Sequence, residues 1–303
     1  MGVRWLTGDS GMKYISPINI TMAKLNSSTA DADTVAAWSS ITTYAVGVET
    51  RSGDRIYKSL QSSNLNHPVT DVAWWQDVRA INKMAMFDTQ VSTQTIGTGG
   101  LVFEIITSQV DVCDSLALIN LYADIAKLEI VSGGLVTYTE IIALNSVVIS
   151  DWYDYFFKPD SRESSAVFNF PPAAGALLRI TLTGSRVAVG FCVAGYTKSV
   201  GITRLGGSKD LVDYSKAVAD EFGSWALTRR TFTSNGSFQC EVDRAAANGT
   251  FNDLAAVRGL PTLWTGVEDD EFTMIFGILG KVRGDLATKA KRYFTIEVKG
   301  MAA

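Results

Sequence analysis

Any catalysis in this chain would have to be built from very few groups. His67 is the single histidine among 303 residues, so a multi-histidine metal site is ruled out and a serine triad would depend on that one imidazole. It precedes Pro68, which holds it extended in a loop. Asp151, Asp154, Asp160 and Glu163 gather near Trp152, Tyr153 and Tyr155; two positioned carboxylates could hydrolyse a glycosidic bond. The same run also describes an aromatic loop that packs onto a partner, which is the preferred reading. Asp269-Asp270-Glu271 offers hard oxygen ligands for a cation and equally a solvated turn between Gly266 and Phe272. Gly97-Thr98-Gly99-Gly100 carries no lysine and precedes a strand, so it is a turn rather than a phosphate cradle. Cys113, Cys192 and Cys240 are odd in number, far apart and in apolar company, as small buried hydrophobes are. No catalytic residue, metal or cofactor is expected.

Contact chemistry is better supplied. Trp38, Tyr44, Tyr57, Trp74 and Trp75 fall within about forty residues, and each is a rigid ring with a broad apolar face and a polar handle, suited to sugar rings or to protein. Asn66, Asp54 and Gln76 are placed to add hydrogen bonds. The elements that position them are short: Arg51-Ser52-Gly53-Asp54 predicts a hairpin turn joining strands over 45–50 and 55–60, because glycine reaches backbone angles other residues resist. A loop over 64–68 follows. Trp74 and Trp75 are adjacent, so in an extended chain they point to opposite sides; one faces out, and the sequence leaves open which. The rings form either the core of a miniature sheet or its binding face.

These residues resemble the chitin-binding type of small carbohydrate-binding module. The pattern is a Trp (Trp38), a Thr-Tyr-x-x-Gly (Thr43-Tyr44-Ala45-Val46-Gly47), a Gly-Asp turn (Gly53-Asp54), an Ile-Tyr (Ile56-Tyr57), an Asn-x-x-Pro-like loop (Asn64 or Asn66 with Pro68) and a closing Trp (Trp74 or Trp75). It covers about an eighth of the chain. Val48-Glu49 departs from the family's Asp-x-Val turn, and the loop before Trp74 is short. The resemblance implies binding of a polysaccharide through stacked rings.

Composition restricts the rest. With 27 basic and 31 acidic residues the net charge is −4, and no basic stripe is present to hold nucleic acid. Charged residues make up 19% of the chain against 47% for the apolar set, a balance that suits an obligate assembly with permanent interfaces. No segment approaches about 18 uninterrupted apolar residues and the first residues do not form a signal peptide, so neither membrane insertion nor conventional secretion is expected.

A mainly β chain in four parts is predicted. Residues 1–34 form an N-terminal arm, too polar to fold alone yet with apolar anchors at 3–6 and 18–22 that would lie on a neighbour. The aromatic module occupies 35–80. Residues 83–197 alternate short β-rich runs with turns (101–107, 115–123, 127–131, 136–144, 167–170, 177–183, 187–194), the signature of a sandwich; the run from Asp114 to Leu121 resembles the core strand of a galactose-binding-like jelly-roll. Residues 198–303 form a second β-rich (α+β) domain, with strands at 202–205, 209–214, 225–234, 236–242, 262–265, 272–281 and 291–299. A helix is expected over 248–260, stopped by Gly259-Leu260-Pro261.

This last block is similar to proteins of tailed-bacteriophage structural gene clusters. The similarity lies in Asp213-Tyr214-Ser215, the Asp220-Glu221-Phe222-Gly223 turn, Arg229-Arg230 with Phe232, a central helix, a Trp264-containing strand and the closing Ile296-Glu297-Val298-Lys299-Gly300. It implies a non-enzymatic virion component, associated with a tail, baseplate or tail fibre and made in the host cytoplasm, whose partners are further copies of itself, other virion proteins and host-surface polysaccharide. Two alternatives stand beside it: a structural adaptor or collar that uses the aromatic module as protein–protein glue, and a depolymerase of host polysaccharide.

Overall fold

A computed structural model describes residues 11–88, 93–145, 151–157, 163–219, 223–267, 270–286 and 289–301. The anchors expected at 3–6, together with Asp160, Asp269 and the 220–222 part of the predicted turn, lie outside these residues. The chain is mainly β. It begins with β1 (Gly11–Pro17) and β2 (Leu25–Ser28) and continues into the module as β3 (Thr43–Tyr44), β4 (Glu49–Ser52), β5 (Arg55–Ser59), β6 (Asn64–Leu65) and β7 (Trp75–Ala80). After the short α1 (Asn82–Ala85) come β8 (Thr95–Thr98), β9 (Leu101–Ile106), β10 (Cys113–Tyr122), β11 (Ile125–Ser132), β12 (Leu135–Ala143), α2 (Trp152–Phe157), β13 (Ser165–Ala173) and β14 (Leu177–Thr183). The C-terminal third holds β15 (Arg186–Asp213), β16 (Lys216–Ala219), β17 (Trp225–Thr228), β18 (Phe232–Asp243), α3 (Arg244–Ala256), β19 (Thr262–Thr265), β20 (Met274–Asp285) and β21 (Lys291–Gly300).

The expected sandwich is present as two antiparallel layers. One has the order β12-β11-β14-β9-β2; the other places β13, β10 and the first part of β15 side by side, with β8 also on β15. Alternation along each strand sends Leu101, Phe103 and Ile105 of β9, Leu178, Ile180 and Leu182 of β14, and Leu116 and Leu118 of β10 into one core. The opposite face of β10, through Ala117, is also buried, in a second cluster with Ile15, Val167, Phe191, Val193 and Leu263. That second cluster joins the sandwich to the C-terminal unit.

The C-terminal unit is a closed barrel. Strands β1, β19, β20, β21, β18 and the later part of β15 pair in a ring that β1 completes by bonding both β15 and β19. Met12, Tyr14, Phe238, Cys240, Trp264 and Ile296 fill it, with Tyr14 stacked on Trp264 at 4.9 Å. The end of α3 contributes Leu254 and Val257 to this core. The helix starts four residues before its expected position, directly after Asp243, and stops before the left-handed Gly259.

Two expectations about domain limits are corrected. Of the expected anchors that are described, Ile20 is buried in the sandwich of its own chain and Ile18 packs against it; Met12, Tyr14 and Ile15, not expected as anchors, are buried in the barrel and its junction, and β2 is an edge strand of the sandwich. Backbone pairing by β1 closes the barrel and satisfies its polar groups, which an isolated polar segment cannot do. The boundary at 197/198 falls inside β15, a single strand of 28 residues that leaves the sandwich and enters the barrel without a linker. Glycines allow the passage. A Cβ on Gly195 would lie 2.0 Å from the Ser16 carbonyl oxygen, and Gly201, at φ +152°, would place one 2.5 Å from that of Glu241.

Candidate functional site

The aromatic module is built as its sequence implies, around a hairpin. β4 and β5 pair antiparallel across Gly53, which sits at φ +62°, and β7 adds to the other side of β5. A second two-stranded piece, β3 with β6, carries Tyr44 and Asn64 inward.

The tryptophan pair divides. Trp75 is 2% exposed; its ring meets Tyr44 edge-on at 5.1 Å and its indole N–H donates to the His67 carbonyl at 2.9 Å. Tyr44 is buried too, its hydroxyl accepting the Ser39 N–H at 2.7 Å. Neither ring is available as a stacking platform, because a fold this small needs its large side chains, these two rings with Ile56, to exclude water from its centre. Trp74 is the outward member: half-buried, with its indole lying flat against the His67 ring at 3.8 Å and 11° between planes. Asp71 lies beside that imidazole at 3.8 Å. The loop is pinned from beneath, since Asn64 donates to the Ser59 hydroxyl at 3.0 Å and the Trp74 carbonyl accepts the Leu60 N–H. Asn66 supports the same loop at φ +58° and is exposed.

The remaining expected residues spread along the sheet. Trp38 is half-buried beside β4, with its N–H on the Arg51 carbonyl. Tyr57 is half-buried opposite Asp77, three residues along the strand from Leu60. Burial pushes its hydroxyl pKa up, and Asp77 adds to the shift. Arg55 holds Asp77 through both its Nε and Nη2, at 2.7–3.0 Å. Gln76 and Asp54 are exposed. Thus Trp74, His67 and the Asn66 loop come together, Tyr57 lies further along the same strand pair, and Tyr44 and Trp75 withdraw into the core. His67 is the member whose part the sequence did not disclose; its spacing from Trp74 shows no regular period, and only the turn over Pro68–Asp71 brings the rings face to face.

The described members of the other candidate groups fall in a turn, a short helix and buried strands. Asp270 accepts the Phe272 N–H at 3.0 Å, as a turn carboxylate does. The Asp151 region forms α2 rather than a loop, with Trp152, Tyr153 and Phe156 largely exposed. Gly99 and Gly100, both at positive φ, turn the chain from β8 into the other layer of the sandwich. All three cysteines are buried without disulfides, and burial raises the Cys113 and Cys240 thiols to about 12. Among the described residues no group of three His, Cys, Asp or Glu side chains could hold a metal ion, and no helix is long and apolar enough to cross a membrane.

Beyond the module, a further exposed apolar surface lies in the C-terminal third. β15 and β18 extend past the barrel as a two-stranded ribbon, continued by β16 and β17. Every described residue from Leu211 to Ala219 and from Gly223 to Phe232 is exposed. Of this stretch the sequence indicated strands at 209–214 and 225–234 but not β16, and it did not indicate isolation, because apolar alternation carries no information about what covers it. Comparison with protein-family models, with curated proteins and with solved structures gives no match to this chain.

Proposed function

We propose that this chain is a non-enzymatic structural component of a tailed-phage particle, associated with its tail, baseplate or fibre, that assembles in several copies and presents the aromatic module to host-surface glycans. Trp74 carries this reading. A large indole is held flat at the surface by His67, in a loop whose backbone is fixed from below, so it is preorganised and loses little freedom when a sugar ring stacks on it. Single contacts of this kind are weak, and repetition of the module across an assembly would multiply them. The expected test is a panel of bacterial surface polysaccharides probed with the intact chain and with Trp74→Ala. Binding that falls at least tenfold in the variant, with an unchanged melting temperature, supports attachment. Absence of binding across the panel removes it. Trp75→Ala is unsuitable as a probe because it removes core.

A second reading has its own support. Ile41, Val46, Leu65 and Val72 are all exposed apolar residues of the module, a setting that suits protein better than sugar. In this reading the module is glue within an adaptor or collar, and a crosslinking map of the particle would place the module against another virion protein rather than at the outer surface.

A further inference from the structure

We infer that the ribbon formed by β16 and β17 is a self-association element that packs face to face on the same ribbon of a second copy, about a two-fold axis running along the strands. This rests on the proposal that the chain assembles, and it names the surface responsible.

Isolated two-stranded ribbons are marginal in water, and this one is exposed on both faces. Trp225 and Leu227 are 67% and 78% exposed. Val218, Tyr214, Leu211 and Phe232 are exposed as well, so large apolar side chains stand in solvent on both faces of the ribbon. Surface of this kind marks a contact.

The register decides which face is used and what covers it. Ala217 pairs with Leu227 and Ala219 with Trp225, whereas Lys216 pairs with Thr228 and Val218 with Ala226. Directly paired residues share a face and neighbours alternate. One face therefore carries Ala217, Ala219, Leu227 and Trp225 with no charge, and the other carries Lys216. On the uncharged face the small residues all belong to β16 and the large ones to β17. The surface is a furrow beside a ridge. A two-fold axis along the strands lays the β17 ridge of one copy into the β16 furrow of the other, twice over, with Trp225 above the partner's Ala219 and Leu227 above its Ala217. A two-fold axis lying across the strands would instead oppose ridge to ridge. The face is thus complementary to itself, as an isologous interface requires, and both ribbons project in the same direction.

The test exchanges ridge and furrow at one rung of the full-length chain. Ala219→Trp opposes two indoles and Trp225→Ala opposes two methyls; each is expected to weaken self-association at least tenfold in sedimentation velocity, with the circular dichroism and melting profile of the parent. The double variant Ala219→Trp/Trp225→Ala restores the pairing with the rows reversed and is expected to return to the dimer. A wild-type chain that stays monomeric at tens of micromolar overturns the inference and leaves the ribbon to a different protein. A double variant no better associated than its parents also overturns it. Glycan binding through Trp74 is read separately, so failure here and failure of the attachment reading are distinguishable.

Discussion

The aromatic module and the C-terminal ribbon are both small antiparallel structures rich in large apolar side chains, yet they solve the problem of water differently. In the module, Trp75, Tyr44 and Ile56 turn inward and are covered by the chain's own strands; even the outward Trp74 has one face on His67. In the ribbon, Trp225 and Leu227 have strand pairing but no third layer among the described residues. A two-stranded sheet satisfies half of its hydrogen bonds and can bury neither face, which is why a second copy is proposed to complete the ribbon.

Substitutions at the two tryptophans test that contrast most strongly. Trp75→Ala is expected to cost about 3–5 kcal/mol and to unfold the module, read as an early transition in urea. Trp225→Ala should change monomer stability by no more than about 0.5 kcal/mol. If the two lose comparable stability, the ribbon is covered by its own chain and the contrast fails. Next in size is Gly201→Ala, which places a methyl against the Glu241 carbonyl where β15 enters the barrel; overpacking of about 1–3 kcal/mol should lower the melting temperature of the barrel without altering the ribbon face. Trp74→Ala is expected to cost less than about 1 kcal/mol, since only one face is buried, while abolishing glycan retention. A stability loss as large as that of Trp75 would make Trp74 a core residue.

The smallest effect concerns the arm, which docks on its own chain. Glu104 on β9 accepts from Arg179 at 2.8 Å and from Asn26 and Ser27 of β2 at 2.7 and 2.9 Å, and these bonds hold its carboxyl below the ordinary glutamate range. Because the folded value is depressed, the contribution is present above the unfolded pKa of about 4.3 and is lost as pH falls through the folded value. Glu104→Gln should lower the urea midpoint slightly at pH 7, by less than about 1 kcal/mol in this partly exposed setting, and the difference should shrink as pH falls below about 4.3 and vanish below the depressed folded value. A difference that persists there would assign the effect to packing rather than charge.

Much of the fold was legible from local pattern. The hairpin at Gly53, the strands at 177–183 and 262–265, and the alternating 291–299 segment stand close to their expected positions, because turn residues and period-two alternation act over a few neighbours. Strand β15 was not legible as one element. Gly195, Gly201, Gly206 and Gly207 look like interruptions in the sequence, whereas in the molecule the first two are the points where another backbone approaches too closely for a side chain. The candidate site was half legible: the rings were identified, and adjacency implied that Trp74 and Trp75 face opposite ways, but nothing local says which side is inside.

Sequence alone therefore determined the β character of the chain, the turns, the poverty of catalytic groups and the clustering of rings, all properties of residue type and short-range spacing. Tertiary structure alone decided that β1 closes a barrel, that Trp75 is core while Trp74 is surface, and that the ribbon stands uncovered. Each of these depends on which other segment arrives to bury a face, and burial is set by contacts between segments, some near in the chain and some far apart, rather than by the pattern of either one.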